Sequence, residues 1–409
     1  MRTRTRVLAL FGATAVAASA LTACSAGSAG GSTTISYFTW NNESSMRPVI
    51  EAFEAEHPDI KIDLSSANND PTEYSQTLLT RASGQQLPDV FHLSLETRSE
   101  IIDAGLAKDL TGSAFLEGAD PTAQEMYSQD GKVYGMSLSA WAGVIIYNAD
   151  LLAQVGYDSV PTDLDGFLEL GQALNDAGIT AYMEDTAGGS GSFPAMLGGY
   201  YAAQGTSDQE IFEDGASFDT WLPVIEQWQQ IVESGTMPRE VVGVSGDQVK
   251  QNFLSGQLAM YRSGSWDFND IEAAGIDFGT AAFPAVEGGE AYVGGGPDSP
   301  YALSASLEGE KLEAAETFLG FLNSAEGLEL LEENLSQVST STNYDANVAP
   351  EIADVYKDYI QQGKYYWTSY PTNGAVMSNE FTAQFQLLIQ GQTTPEQVTA
   401  ALDAKWQSQ

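Results

Sequence analysis

The sequence predicts an α/β protein built from two domains of ordinary size. Strand and helix patterns alternate along the chain, which is typical of mainly parallel sheets covered by helices on both faces. The chain has 409 residues, 43% of them hydrophobic and 10% aromatic, so it is long and apolar enough to form sizeable cores. No fixed-period repeat is found.

The first α/β unit occupies roughly the first quarter of the chain. We predict strands at Thr34–Thr39, Ile60–Leu64 and Val90–Leu93, separated by helices at Ser44–Glu56 and Glu73–Ser83. The first helix repeats its apolar residues at helical spacing. Because such a unit forms an open parallel sheet, its ligands are expected beyond the carboxyl ends of the strands.

Polar and aromatic residues follow two of these strands. Trp40, Asn41 and Glu43 come directly after the first strand, and Ser94 and Glu96 come after the third. Because both groups fall at the same edge of the sheet, we predict that they bind a ligand. For Trp40 the alternative is core packing, and for the acidic residues it is surface solvation.

A second α/β unit is predicted to begin near Val144. A strand over Val144–Tyr147 precedes a helix that Thr162 and Asp165 are expected to cap. Further along, the pattern predicts a helix at Asp247–Leu254 and a strand at Leu258–Arg262.

Two helices are predicted near the end of the chain. The first spans Glu310–Asn323 and has an apolar stripe. The second begins at Thr394, with Pro395 at its first position and Gln397 completing a capping box.

The start of the chain has the pattern of an export signal. Arginines precede Val7–Ala20, an apolar or small run of 14 residues that is too short to cross a bilayer. The run ends in Leu21-Thr22-Ala23-Cys24, which resembles a bacterial lipobox. We therefore expect residues 1–23 to be removed and residues 24–32 to form a flexible tether, with Cys24 lipidated on the outer face of a cell membrane, as in Gram-positive bacteria. The alternative is a plain signal peptide with an incidental cysteine.

Charge and residue content exclude several classes of function. The formal net charge is −40, so nucleic acid and anionic lipid surfaces are disfavoured as partners. The few basic residues are scattered singly, which argues against an anionic ligand. Cys24 is the single cysteine and there are two histidines, so a disulfide, a cysteine nucleophile and a multi-histidine metal site are not expected. We expect neither a cofactor nor a metal.

Several segments together resemble family 1 extracellular solute-binding proteins of ABC importers. Each is weak alone, but they occur in the family's order and span nearly the whole chain after the signal. They are Gly131–Met136 with Ile146–Leu151, Val160-Pro161-Thr162, Phe253–Met260 with Gly264-Ser265-Trp266, the expected helix Ala314–Glu326, and Gly391–Glu396 with Trp406.

The resemblance implies a two-lobed fold of the type II periplasmic-binding-protein class, in which a three-segment hinge joins the lobes. The crossovers are expected near Ala140–Gly143, Gly294–Pro297 and Ser339–Asn343. The first lobe is then residues 33–140 plus 297–340, and the second is residues 141–296 plus 341–409. The ligand cleft lies between the lobes.

Glycines in the second expected crossover are further candidates for the ligand site. Gly295 and Gly296 suit a segment in which the backbone bends and approaches a ligand closely. An ordinary loop explains the same glycine run equally well.

Tryptophans are the main candidates for sugar contact, because a flat indole matches the C–H face of a sugar ring and fixed acceptors match its hydroxyl rim. Trp266, with Asp267 beside it, is the leading candidate, since it lies in a loop after a strand. Trp141 stands at the expected hinge, and Trp367 belongs to an aromatic cluster. The remaining tryptophans fit core packing; they are Trp221, Trp228 and Trp406.

The function that the resemblance implies is the binding component of an ABC transporter. It would capture a neutral sugar or oligosaccharide as a monomer and deliver it to two permease subunits that work with an ATPase, without catalysing a reaction. Three alternatives stay open: a secreted carbohydrate-active hydrolase, which needs two facing carboxylates, a binding protein for another solute, and a surface adhesin.

Overall fold

The computed structural model describes most of the chain after the N-terminal segment. The described residues are 32–94, 96–119, 124, 126–187, 191–207, 212, 217–298, 300–335, 337–370 and 374–408. Among them, no helix combines the length and the apolar character that crossing a membrane requires. The predicted signal, Cys24 and most of the predicted tether lie outside the described residues.

Strands and helices alternate over most of the described chain, as expected. The strands are β1 (Thr33–Thr39), β2 (Ile60–Ser66), β3 (Val90–His92), β4 (Ser128–Gln129), β5 (Lys132–Val133), β6 (Ser139–Asn148), β7 (Thr180–Met183), β8 (Leu258–Ser263), β9 (Phe278–Ala281), β10 (Val293–Pro297), β11 (Tyr301–Leu303), β12 (Val338–Ser339) and β13 (Tyr365–Tyr366). The α-helices are α1 (Glu43–Glu56), α2 (Pro71–Ser83), α3 (Arg98–Asp103), α4 (Ala149–Gln154), α5 (Leu164–Asp176), α6 (Ser192–Gln204), α7 (Leu222–Glu233), α8 (Gly246–Leu254), α9 (Phe268–Ala273), α10 (Gly309–Leu322), α11 (Ala325–Leu335), α12 (Pro350–Val355), α13 (Gly374–Ile389) and α14 (Pro395–Gln407).

The first lobe contains a sheet in the order β11-β3-β1-β2. β1 pairs in parallel with β2 and β3, and β11 adds an antiparallel edge. The predicted apolar stripe of α1 is confirmed, because Met46, Val49, Ile50 and Phe53 are all buried. Their burial fixes α1 on the sheet and leaves the ends of β1 and β3 at one edge, as predicted.

The second lobe contains a larger sheet in the order β13-β10-β6-β8-β7, with β9 and β12 also paired to β6. The expectation that this sheet is mainly parallel is wrong in detail. β6 pairs antiparallel with β8, β9, β10 and β12, while the β7–β8 and β10–β13 pairs are parallel. For the β6–β10 pair the reason is that β6 carries the chain into the second lobe while β10 carries it back.

The three expected crossovers lie side by side. In the β6–β10 pair Ala140 is opposite Pro297 and Gly143 is opposite Gly294, and Val338 of β12 is also opposite Ala140. Along the same segments the chain passes from one hydrophobic core to the other. Leu138 belongs to the first-lobe core and Ala140 to the second-lobe core. The chain returns to the first-lobe core by β11 and re-enters the second-lobe core before α12.

Three sequence-based details differ from the structure. β6 is a strand of 10 residues rather than the four of Val144–Tyr147, because its first half pairs in the hinge. Asp163, not Thr162, caps α5, and its carboxylate accepts from the backbone N–H of Gly166 at 2.9 Å. The run Ala314–Glu326 is not one helix, since α10 ends at Leu322 and α11 begins at Ala325. The capping box at Thr394 is confirmed.

Candidate ligand-binding site

Three tryptophans from separate parts of the chain converge beside the crossovers. Trp141 lies on β6, Trp266 in the short turn after β8, and Trp367 directly after β13. The rings of Trp141 and Trp367 meet edge to face, with centroids 5.2 Å apart and an interplanar angle of 70°. The Cζ atom of Arg262 lies 5.7 Å, 6.0 Å and 5.9 Å from the ring centroids of Trp141, Trp266 and Trp367. We call these three residues the tryptophan cluster.

Trp266 is the most exposed member of the cluster. Its relative exposure is 47%, whereas Trp141 and Trp367 are half-buried. Its ring lies close against Gly264, where an added Cβ would come within 2.3 Å of Cζ3. The Gly-Ser-Trp sequence therefore allows the indole to fold back over the end of β8 and still present one face to solvent.

Arg262 is a member of the site that the sequence analysis missed. It occupies the next-to-last position of β8, opposite Ile145 of β6, and its side chain is partly buried. Burial lowers the pKa of its guanidinium, and the carboxylate of Glu184 is the strongest opposing influence. The available signal was a single arginine in an apolar strand, two residues before the Gly-Ser-Trp turn, but this pattern does not show which side chains surround the guanidinium.

Glu184 is a fully buried carboxylate next to this arginine. It accepts hydrogen bonds from the hydroxyl of Tyr182 at 2.8 Å and from the backbone N–H and the hydroxyl of Ser192 at 3.0 Å and 2.9 Å. Ser192 is the first residue of α6, so the carboxylate also lies at the positive end of a helix dipole. Burial raises the pKa of Glu184, and these donors limit the rise.

Asp267 is held inside the second lobe. Its carboxylate accepts from the hydroxyls of Tyr261 at 3.0 Å and Ser263 at 2.5 Å, and it forms an ion pair of 3.1 Å with Lys250. Burial, and then the Asp267 carboxylate, raises the pKa of Tyr261. The structure therefore gives Asp267 an internal structural role, while its predicted ligand role stays a prediction.

Gly295 and Gly296 lie in β10 and not in an ordinary loop. Both are buried, and neither has a positive φ angle. A Cβ on Gly295 would lie 2.3 Å from the carbonyl oxygen of Trp141, whereas a Cβ on Gly296 would meet nothing within 4 Å. Gly295 thus permits two crossovers to approach each other, and Gly296 borders open space.

The predicted residues after β1 are largely occupied by local contacts. Trp40 is half-buried against the first-lobe core, and the backbone and side chain of Asn41 donate to Thr39. Glu43 is exposed and forms an ion pair with Arg47 one helical turn later.

The predicted residues after β3 lie in a turn. The backbone N–H of Ser94 donates to the hydroxyl of Thr97 at 3.2 Å. Glu96 is half-buried near Tyr127. Burial is the main cause that raises the pKa of the Tyr127 phenol, and the negative charge of Glu96 raises it further. The structure brings Ser94 and Glu96 to the same lobe edge as Trp40, but not into the tryptophan cluster.

Two further contacts beside the crossovers went unpredicted. Arg98 of α3 donates to the hydroxyl of Ser369 at 3.0 Å, which joins the first lobe to the segment after β13. Asp298, directly after β10, accepts from the hydroxyl of Ser139 at 2.6 Å, and burial raises its pKa to about 6. Within the described ranges, no group of three or more histidine, cysteine, aspartate or glutamate side chains could hold a metal ion.

The fold is that of a two-lobed α/β protein, and the tryptophan cluster lies beside its crossovers. A profile of the family described as bacterial extracellular solute-binding protein matches residues 39–329. The chain belongs to this family.

Relatives in the family cover most of the chain. The "Multiple sugar-binding protein" of Streptococcus mutans is 25% identical over 315 residues, which are 72% of each chain. The "Galactooligosaccharide-binding protein" of Bacillus subtilis is 23% identical over 88% of this chain and 86% of its own. Both are binding proteins.

Solved structures agree with the fold. A family 1 extracellular solute-binding protein from Bifidobacterium longum subsp. infantis is 39% identical, with a TM-score of 0.79 over 93% of this chain and 100% of its own. Maltose-bound MalE3 of T. maritima is 19% identical, with a TM-score of 0.78 over 92% of this chain and 100% of its own, which shows the fold alone.

Proposed function

We propose that this chain captures a neutral sugar or oligosaccharide between its lobes and delivers it to the permease of an ABC importer. The observation that carries the proposal is the tryptophan cluster, in which three indoles from three segments meet beside the crossovers and one stays exposed. Indole faces match the C–H faces of sugar rings. The names of the two relatives, which refer to multiple sugars and to galacto-oligosaccharides, support the same ligand class.

The cluster can supply enough binding energy for such a ligand. Burying about 100 Å² of apolar surface in one stacked contact contributes about 2.5 kcal/mol. Two such contacts with several hydrogen bonds support roughly micromolar affinity after the costs of association. The half-buried rings of Trp141 and Trp367 are already fixed against each other, so little ordering remains to be done on binding.

We propose the predicted lobe boundaries for the moving parts: residues 33–140 plus 297–340, and residues 141–296 plus 341–409. The changes in core membership along β6, β10 and the segment before α12 support this division. A ligand that contacts both lobes favours the closed state by its differential affinity, and the permease would recognise that state. Small-angle scattering should show a smaller radius of gyration with ligand; identical profiles would contradict closure.

We also propose that lipidation at Cys24 retains the protein at the outer face of the membrane. The motif at residues 21–24 is the support for this. Mass spectrometry of the membrane fraction should find acyl groups on an N-terminal Cys24, and globomycin should block processing. Unchanged processing and an unmodified Cys24 would contradict the anchor.

The proposal is tested by binding to neutral trisaccharides. Calorimetry with maltotriose, raffinose and galactotriose should find at least one ligand, and Trp266→Ala should weaken its binding by ~70-fold, the equivalent of one lost stacking contact. Trp406→Ala is the matched control, since this part-buried indole belongs to α14 and not to the cluster. If no sugar binds, or if Trp266→Ala binds as the wild type does, the proposed site is wrong.

A binding role without catalysis is part of the proposal. The wild type should release no reducing ends from the trisaccharide that it binds. The hydrolysis assay and the calorimetry should use the same protein sample. Sustained hydrolysis would favour the hydrolase alternative instead.

A further inference from the structure

We propose that Arg262 is a ligand-binding residue whose guanidinium donates paired hydrogen bonds to two adjacent hydroxyl oxygens of an uncharged sugar ring. This inference rests on the proposed function, because it assumes a sugar at the tryptophan cluster. It adds what the indoles cannot supply, namely a directional contact that selects the ligand.

The position of Arg262 supports this role. Its Cζ atom lies within 6.0 Å of the ring centroids of all three clustered tryptophans. The guanidinium therefore lies among the surfaces expected to stack against the sugar. A ring held by an indole would present its hydroxyl rim to the arginine.

The guanidinium of Arg262 has N–H donors that no acceptor in the described part of the chain pairs with. Among the residues that the structure describes, Arg262 forms no hydrogen bond with a side chain or a backbone carbonyl and no salt bridge, and its buried Nε–H is without an acceptor. The side chain as a whole is partly exposed. Since buried donors are normally paired, a cation held here without an acceptor indicates that a ligand completes its contacts.

The local sequence leaves room for the guanidinium. A Cβ on Gly143 would lie 2.9 Å from one Nη atom, and a Cβ on Gly191 would lie 2.7 Å from Nε. A larger residue at either position would displace the arginine. Two backbone segments of the second lobe are therefore adapted to the presence of this side chain.

The surrounding charges favour an uncharged ligand. Glu184, Asp185 and Asp267 are the carboxylates that act on Arg262. Of these three, Asp267 forms an ion pair with Lys250, which also pairs with the exposed Asp270. An anionic sugar would gain one guanidinium but would face more carboxylates than cations. The net charge of −40 acts in the same direction.

The geometry of the guanidinium matches adjacent hydroxyls. Its planar fork presents two parallel N–H donors to a pair of neighbouring acceptors. Two hydroxyl oxygens on adjacent ring carbons supply such a pair. A lysine keeps the charge but cannot form this fork.

The experiment uses the wild type and two variants, Arg262→Met and Arg262→Lys. Calorimetry is run with maltotriose, raffinose and galactotriose, and with forms of the first and third oxidised to the carboxylate at C6. Arg81→Met is the matched control, because the Cζ atom of Arg81 lies 4.2 Å from the Phe38 ring centroid, in the first lobe and outside the cluster.

We expect Arg262→Met to weaken binding of the best neutral trisaccharide by ~10- to 100-fold and Arg262→Lys to recover part of the loss. Arg81→Met should bind as the wild type does. The thermal midpoint of ligand-free Arg262→Met should stay close to that of the wild type. Removing a poorly solvated cation relieves a cost, but it also removes the attraction between that cation and the buried Glu184 carboxylate.

Each other outcome overturns a definite part of the proposal. If the wild type binds no sugar, the proposed function fails and this inference fails with it. If the wild type binds a neutral sugar and Arg262→Met binds it equally well, only the role of Arg262 is wrong. Tighter binding of an oxidised form would overturn the uncharged ligand. A large fall in the thermal midpoint with unchanged affinity would make Arg262 a structural residue.

Discussion

The residues of the first-lobe edge and of the tryptophan cluster were both predicted to contact a ligand, yet their side chains differ in what they contact. At the first-lobe edge, Asn41, Glu43 and Ser94 are bound by neighbours within four residues of themselves. In the cluster, the indoles come from segments far apart in the chain and one is 47% exposed. The comparison teaches that polar residues at a strand end tend to satisfy one another locally, while aromatic faces with no such partners remain available to a ligand.

The largest expected effect on stability comes from replacing the Asp267 carboxylate beside the tryptophan cluster. Asp267→Asn should lower the free energy of unfolding by about 3 kcal/mol, because Lys250, Tyr261 and Ser263 lose a charged, buried partner. Urea denaturation measures this, and calorimetry should show that the folded variant still binds sugar.

The matched control is Asp270→Asn. Asp270 is the exposed second partner of Lys250, at 2.8 Å, and its loss should change stability by less than about 0.5 kcal/mol. A stable Asp267→Asn variant that binds no sugar would instead make Asp267 a ligand residue, as the sequence predicted.

The second prediction compares the stability contributions of a tryptophan at the first-lobe edge and a tryptophan of the cluster. Trp40→Ala should lower the free energy of unfolding by about 2 kcal/mol, since this half-buried indole packs on the first-lobe core. Trp266→Ala should change it by under about 0.5 kcal/mol, because its exposed face has little packing to lose. Thermal and urea unfolding of the two variants provide the comparison. If Trp40→Ala kept native stability but lost sugar binding, the first-lobe edge would be the main site.

The smallest effect concerns pH and the residue Asp298 beside the crossovers. Burial raises its pKa from 3.8 to about 6, so the native protein holds this proton more tightly than the unfolded chain does. The contribution of Asp298 to stability is therefore greatest below pH 4 and is lost as the pH rises through about 6. Since the side chain is partly exposed, the loss should be about 1–2 kcal/mol.

Urea denaturation between pH 4 and 7.5 measures this contribution as the difference between the wild type and Asp298→Asn. The variant should have a flatter profile over this range. Equal pH profiles in the two proteins would show that Asp298 titrates alike in the folded and unfolded states.

Much of the fold could be predicted because its signals are local. The apolar stripe of α1 and the capping box at Thr394 depend on residues within one or two turns, and both predictions are confirmed. The pairing of β6 could not be read in this way, since its antiparallel partners come from segments more than a hundred residues away in sequence. Periodicity indicates that a strand exists, but it does not give the direction of its neighbours.

The candidate site was predictable to a similar extent. Trp266 stood out because it follows a strand within a family motif, and the structure leaves it exposed. Arg262 did not, because a single basic residue in an apolar strand carries no local sign of three indoles folding around it. Asp267, its near neighbour in sequence, looked like a ligand residue until its internal partners were known. Burial and partner choice depend on tertiary packing that spacing does not encode.

A crystal structure with the best-binding neutral trisaccharide tests the central claim most directly. The account predicts a sugar ring stacked on Trp266 at van der Waals distance, about 4 Å, with Trp141 or Trp367 as a second wall and two adjacent hydroxyls at Arg262. A sugar bound away from these indoles, in contact with the first-lobe edge alone, would contradict it.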